Sequence, residues 1–495
     1  NSRFRRPIGL ECMTCHNAFP DFVLGSENKY SSLKNGIDCE RCHGPGSEHV
    51  RLKRAGELVD VSAQIDYSIV NPAKLPVDLQ FDVCQRCHIQ GNAVLNEDKS
   101  FFDYRPGMKL SDVMNVFMPV YANDENSHIM ASHAERLKQS RCFISTAGIE
   151  ASGTLTSDQL RPYKNALTCV TCHNPHVSVK VTGNDIFNKA CVNCHNAGKK
   201  PVCSEEKIHL EKAGNNCISC HMPESGATDI PHVRVTDHRI RIPVNEKDRD
   251  EIKKFIGITC INNPDPPQAA MGEAFLSYYE KFNLDASVLD SAEKYLPDHS
   301  KELIRKNFHS LIRLAFLRKD YPRIRKYIGQ LGNPMNFLDK KSYSNTDAWT
   351  CYRIAESLDR LSEPAKALQY YARSVELTPF MLDFQVKYGV SLAENKMDEK
   401  AIEVFEFVAK EDPSNYQALS NLGFLYLKLN NDARKAQVMY DRAISINPDY
   451  EQALMNKAGL YIYHRQNKEA INLLNMVIKK NPGNMKAREL IKTII

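Results

Sequence analysis

Six times the chain reads Cys-x-x-Cys-His: Cys12, Cys15 and His16; Cys39, Cys42 and His43; Cys84, Cys87 and His88; Cys169, Cys172 and His173; Cys191, Cys194 and His195; Cys217, Cys220 and His221. Two thiols at this spacing can add across the two vinyl groups of one porphyrin, and the adjoining histidine then lies under the iron as its proximal ligand. With 16 Cys and 16 His in 495 residues, chance supplies about 0.02 copies of the pattern. Paired Cys-x-x-Cys knuckles also make zinc sites, but zinc gives no reason for a histidine after every second cysteine. The expected cofactors are six covalently bound haem c. Such attachment takes place outside the cytoplasm, so the expected location is periplasmic or extracellular, at the cell surface. With residue 12 already a haem cysteine, the sequence reads as a mature form whose targeting segment has been removed.

Each iron needs a second axial ligand or stays open. Beyond the proximal histidines, residues 1–240 hold His49, His128, His133, His176, His209, His232 and His238, whereas the rest of the chain holds only His299, His309 and His464. Surface histidines would be spread more evenly, so the partition itself argues for ligation. His49 follows His43 through Gly44-Pro45-Gly46, with Ser47 placed to cap a short helix. His176 follows His173 through Asn174-Pro175. Both lie too close in sequence to cover their own haem, and each is expected on a neighbouring one. His209 falls on a short helical stretch, Glu205 to Ala213, and His232 and His238 on an extended one. In the long haem-free stretch between His88 and Cys169, His133 is favoured over His128 because a helix can follow it. Met13, Met130 and Met222 are weaker candidates that would raise a haem's potential. Six closed irons can only carry electrons, whereas one open iron would admit substrate. No catalytic residue is assigned, and an electron carrier is favoured over an enzyme. Of the remaining cysteines, Cys142 and Cys203 are expected as a disulfide, and Cys260 and Cys351 as buried thiols.

Composition sets the background. Hydrophobic residues make up 42% and charged residues 25%, an ordinary globular balance that excludes a disordered or collagen-like chain. The apolar runs are too short for a membrane span of about 20 residues, so the chain is expected to be soluble, with no transmembrane segment. A net charge of +5 is too weak a bias to argue for nucleic acid. Twelve haem propionates would bring the holoprotein to about −1 with ferric and about −7 with ferrous irons.

The second half carries a different pattern. Pro379, Pro413, Pro448 and Pro482 recur at spacings of 34, 35 and 34 residues, and Ala367, Ala401, Ala436 and Ala470 each lie twelve residues ahead of one of them. Tyr371, Phe405, Tyr440 and Leu474 follow four residues after each alanine, with Gly389 and Gly423 at close-packing positions of the first helix. This is the tetratricopeptide unit, in which small residues let paired helices approach, large ones fill the gap and proline ends the second helix. The extra residue of the third unit is placed at Asn430-Asn431-Asp432. The expected fold class is mainly α. A hexahaem domain with little regular secondary structure spans residues 1–240, a proline-rich linker 241–270, and an α-solenoid 271–495. The clear repeats cover about 348–484, degenerate helix pairs precede them, and a capping helix follows over 485–495.

The N-terminal half resembles the multihaem c-type cytochromes related to the tetrahaem and octahaem nitrification cytochromes and the pentahaem nitrite reductases. The likeness lies in Cys42-His43-Gly44-Pro45-Gly46-Ser47-Glu48-His49, Cys172-His173-Asn174-Pro175-His176 and Cys220-His221-Met222-Pro223. It implies haems in alternating parallel and perpendicular pairs, close enough for electron hopping. Some family members are enzymes, but the Cys-x-x-Cys-Lys site of the nitrite reductases does not occur here. The expected function is electron transfer through a chain of closely packed, mostly bis-histidine haems, with assembly into an extracellular conductive filament as a variant. The alternatives are a reductase or oxidase of a small nitrogen or sulfur oxyanion at one open haem, and a redox scaffold that binds a partner through the repeats. Expected partners are redox proteins and further copies of the chain.

Overall fold

Helices in the first half are short because each is stopped soon after it starts. In the computed structural model, residues 7–89, 91–122, 131–150, 167–195, 203, 205–226, 234–243, 254–282 and 284–494 are described. Helix Glu40–His43 ends at Gly44, whose φ of 78° suits glycine and strains other residues. Helix Cys169–Cys172 is fixed at its start by Thr168 and Thr171, which exchange side-chain-to-backbone hydrogen bonds across the first turn. Helix Val77–His88 is longer because it has a core to face, burying Val77, Phe81 and Val83. Ser47 opens helix Ser47–Arg54 without capping it. Instead Glu40 Oε1 accepts from the Gly46 N–H at 2.9 Å.

The chain divides into two units, residues Asn1–Phe22 with Tyr30–Tyr295, and Val23–Lys29 with Leu296–Ile495. The first contains an antiparallel sheet in which Met114–Tyr121 is central, with Asn92–Leu95 on one side and Phe255–Cys260 on the other. Val116 faces Ala93, and Met118 faces Thr259. A separate two-stranded ribbon pairs Glu224–Gly226 with Arg234–Thr236. The stretch 241–270, expected as a linker, thus includes a strand at Phe255–Cys260, and helix Gln268–Lys281 begins right after Pro267. The run Phe-Ile-Gly-Ile-Thr-Cys is short, apolar and β-branched, a strand signal hidden by the prolines after it. Phe117 packs against Ala270 and Ala274 of that helix, and the first unit continues through helix Ala286–Lys294.

The second unit is built from antiparallel helix pairs: Thr346–Arg360 with Pro364–Leu377, Leu382–Glu394 with Asp398–Glu411, Tyr416–Asn430 with Ala433–Ile446, and Glu451–Tyr463 with Asn467–Lys480. Helix Met485–Ile494 follows them. The recurring alanines are fully buried, and Tyr371, Phe405, Tyr440 and Leu474 are buried beside them. A Cβ on Gly423 would stand 2.6 Å from the Tyr440 ring, so the aromatic occupies the space that glycine leaves. The turns between paired helices hold a left-handed non-glycine residue: Ser362, Lys396, Asn431 and Arg465, with Lys319 in the equivalent turn between Phe308–Leu317 and Tyr321–Leu331. The upstream pair, expected as a degenerate copy of the unit, shares this turn conformation with the repeats. Residues 23–29 belong to this unit as well. Gly25 (φ 77°) fits against the Leu377 carbonyl, where a Cβ would come within 2.8 Å, and its own carbonyl accepts from the Phe380 N–H at 3.1 Å.

Candidate haem-attachment and axial-ligand sites

Each attachment motif lies on or at the end of a helix: Leu10–His16, Glu40–His43, Val77–His88, Cys169–Cys172, Asp185–His195 and Cys217–His221. Residues at i, i+3 and i+4 share one helix face. Where the histidine is itself helical, both sulfurs and the imidazole of a motif are therefore presented to one side, which is the demand of a porphyrin held by two thioethers and an axial nitrogen; His173 instead follows its helix with extended backbone. Among the described residues, no three His, Cys, Asp or Glu groups converge to hold a lone metal ion.

The imidazoles are anchored through one nitrogen. His43 Nδ1 lies 2.8 Å from the Val70 carbonyl, His221 Nδ1 2.9 Å from the Arg241 carbonyl, and His238 Nδ1 2.9 Å from the Thr236 carbonyl. Each ring donates its Nδ1–H there, which fixes the tautomer with the lone pair on Nε2. Two distal candidates are held similarly, His49 by Ser68 Oγ at 2.8 Å and His209 by Glu205 at 3.0 Å.

Candidate ligands meet in pairs from distant parts of the chain. The rings of His43 and His176 are 6.0 Å apart between centroids and inclined by 11°, and those of His173 and His238 are 6.2 Å apart and inclined by 22°. Two imidazoles bound through nitrogen to one iron, each about 2 Å from it, have centroids about 6 Å apart. His88 and His133 lie closer, at 5.2 Å and edge-on, and His133 also meets His238 at 4.6 Å. Burial, together with the neighbouring imidazoles, lowers the pKa of His88, His173 and His238, the last to about 4. These rings are held neutral, the form that binds metal. His176, expected on a neighbouring haem, lies beside His43 of the second motif. His209 is 58% exposed at the side chain. His128 and His232 lie outside the described residues.

The sequence gives no sign of what positions His133 and His238. Arg136, one turn after His133, makes a buried bidentate ion pair with Asp237, the neighbour of His238. The motif sulfurs also cross-contact, Cys15 with Cys87 and Cys84 with Cys169, so the first, third and fourth motifs converge. The expected Cys142–Cys203 disulfide is not formed. Cys142, on helix Arg141–Glu150, lies among Cys172 and Cys194 of the fourth and fifth motifs instead.

Residues 429–492 match the tetratricopeptide repeat family model, and the C-terminal region carries repeats of that type. Over 241 residues the chain is 25% identical to the dissimilatory sulfite reductase MccA of Wolinella succinogenes, covering 43% of this chain and 27% of the reductase. Over 151 residues it is 21% identical to human tetratricopeptide repeat protein 6, covering 24% of this chain and 29% of that protein. The chain therefore spans less than a third of the length of either relative. Among solved structures, MamA (residues 41 to the end) from Desulfovibrio magneticus RS-1 is 15% identical with a TM-score of 0.30, covering 38% of this chain and 98% of MamA. No helix among the described residues is long and apolar enough to cross a membrane. The likeness to MccA and the repeat match together point to a multihaem or repeat-containing protein.

Proposed function

We propose that this chain is a multihaem c-type cytochrome, active outside the cytoplasm, that passes electrons along six covalently attached haems. Bound haem iron supplies the chemistry, taking up and releasing one electron between its ferrous and ferric forms. The twelve motif cysteines hold the porphyrins, and His16, His43, His88, His173, His195 and His221 are the proximal ligands. The observation that carries this reading is the facing of His43 and His176, 6.0 Å apart and nearly parallel. Their separation suits one closed iron, and they come from motifs 130 residues apart in sequence. His173 with His238 supplies a second closed pair, and His133, which meets both His88 and His238, is the ligand candidate for the iron at His88. Closed irons exclude substrate, which favours transfer over catalysis. The sulfur contacts among the first, third and fourth motifs support a close sequence of haems in that order. Assembly into an extracellular filament is the form in which such a chain of haems would extend between copies.

One observation favours a second reading. The chain is similar to a protein described as a dissimilatory sulfite reductase, which would make it a reductase of a small sulfur oxyanion at an iron left open by its distal candidates.

One set of measurements tests both. Intact mass and the pyridine haemochrome spectrum should count six covalent haems, and the EPR spectrum of the oxidised protein should be low-spin, with no carbon monoxide binding after reduction. A chain that carries no covalent haem after export removes the first reading. One high-spin iron that binds carbon monoxide, together with oxidation of reduced viologen by sulfite, would replace it with the second.

A further inference from the structure

Two arginines sit where arginine is costly. Arg41 and Arg86 are the third residues of the second and third motifs, and they are 0% and 3% exposed. Arg41 Nη2 donates to the Thr14 carbonyl at 2.5 Å and to Thr14 Oγ1 at 3.3 Å. Its guanidinium stacks 4.6 Å from the Phe102 ring centre and 5.0 Å from that of Phe19. The Arg86 guanidinium lies 5.7 Å from the Tyr104 ring centre and bonds the Cys87 sulfur. Asp38 attracts Arg41 but spends its hydrogen bond on the backbone N–H, at 3.3 Å. The remaining donors are orphaned. Among the described residues, Arg41 Nε and Nη1, Arg86 Nε and Nη1, and Tyr104 Oη are buried without a partner.

A pair of buried like charges, with Asp38 near Arg41 but hydrogen-bonded to the backbone instead, costs several kcal/mol per ion after relaxation, and each unmade hydrogen bond adds a further penalty. Native interiors do not keep such a set unsatisfied, so it calls for an acceptor that the polypeptide does not supply. That acceptor must be anionic and must offer several oxygens in a plane that matches a guanidinium fork. Tyr104 is 1% and Thr14 4% exposed, so a diffusible ion would need a transient opening to reach these donors. An anion delivered covalently during folding needs none.

We propose that Arg41 and Arg86, with the Tyr104 hydroxyl, bind the propionate carboxylates of haem attached at the surrounding motifs. This rests on the haem reading above. The two cations then neutralise carboxylates buried beside an iron and stabilise its reduced, less positive form, which holds that haem's potential up. The same donor set could take a free oxyanion such as phosphate or sulfite, and the test separates the two sources.

The experiment uses the full-length holoprotein and its Arg41→Gln, Arg86→Gln, Arg41→Lys and Tyr104→Phe variants. Covalent haem is counted by intact mass, and the potentials are read by optical redox titration in phosphate-free buffer. Arg41→Gln and Arg86→Gln should each keep six haems and shift the reduction equilibrium of at least one haem about tenfold toward the oxidised form, about 59 mV for one electron. Arg41→Lys should restore most of that shift, and Tyr104→Phe should produce a smaller one of the same sign. If the glutamine variants do not accumulate, the lysine and phenylalanine variants carry the test. Unchanged potentials in every variant that retains its haems would overturn the assignment. So would a saturable shift on adding phosphate or sulfite to the wild-type protein that Arg41→Lys weakens, because the ligand would then be a free ion. A wild-type protein without covalent haem would instead remove the haem reading on which the assignment rests.

Discussion

Arg136 and Asp237 form a bidentate ion pair, Nε to Oδ1 at 2.8 Å and Nη2 to Oδ2 at 2.6 Å, with both side chains 4% exposed. One partner lies three residues after His133 and the other directly before His238. The pair therefore joins two candidate ligands that meet at 4.6 Å. Removing one partner leaves the other charge buried and uncompensated, at a cost of about 3–5 kcal/mol. Arg136→Met and Asp237→Asn should each lose that much in denaturant unfolding of the holoprotein. They should also bring up a high-spin EPR signal from the haems that these histidines close, although neither mutated side chain is a ligand. The double variant Arg136→Met/Asp237→Leu should recover much of the stability. Single variants with an unmoved midpoint would show that the pair anchors nothing.

The histidine pairs make a sharper prediction. His176→Ala and His238→Ala should each open one iron, the one carried by His43 and the one carried by His173. Each variant should then show one high-spin haem in the oxidised state and bind one equivalent of carbon monoxide when reduced, while its covalent haem count stays at six. The potential of the opened haem should change, because axial ligand identity is a main lever on it. If His176→Ala stays wholly low-spin, His176 does not share an iron with His43.

What could be read from the sequence divides by distance along the chain. The motifs and the repeat phase were legible because their physics is local. A helix turn brings Cys84, Cys87 and His88 to one face, and Ala401 and Phe405 recur because each repeat buries the same spot. The mainly helical character and the repeat array followed from that periodicity. The pairing of His43 with His176 and of Arg136 with Asp237 was not legible, since each joins segments more than a hundred residues apart and neither has a local signature. The strand Phe255–Cys260 was hidden in a proline-rich context, although its apolar β-branched run is a strand signal in isolation. Cys142 is expected with Cys203 because both lie in the haem-motif region, whereas helix Arg141–Glu150 carries it toward Cys172 and Cys194. The orphaned donors of Arg41 and Arg86 need the fold to be seen at all.

In the repeats, two kinds of substitution should move stability in opposite directions. Gly423→Ala places a Cβ 2.6 Å from the Tyr440 ring and 3.1 Å from the Ala436 carbonyl, an overpacking that costs about 1–3 kcal/mol. Lys396, by contrast, sits at φ 62° in an inter-helix turn, a conformation that strains a non-glycine residue by about 1–2 kcal/mol. Lys396→Gly should relieve part of that strain and raise stability by up to about 1 kcal/mol, after allowance for the freer unfolded chain. Thermal unfolding followed by helical circular dichroism reads both. A neutral Gly423→Ala would mean that the helices separate to admit the methyl group.

Asp82 provides a pH dependence that does not involve a haem ligand. Burial raises its pKa to about 6, against an opposing hydrogen bond from the Leu110 N–H at 3.0 Å and the attraction of Lys138. The folded chain therefore holds a proton there that the unfolded chain, with an ordinary value near 3.8, has released. The folded state binds more protons between these two values, so stability from this group is fully present below about 4 and is lost as pH rises through about 6. Asp82→Asn removes the titration while keeping an acceptor for the Leu110 N–H. The stability of wild type minus that of Asp82→Asn, from denaturant unfolding at intervals between pH 4 and 8, should decline across pH 4–6 and level off above about 7. Haem-linked acid effects are common to both proteins and cancel in the difference. A difference that stays flat, or rises with pH, would mean that Asp82 is ionised in the folded chain throughout, with Lys138 and the Leu110 N–H outweighing its burial.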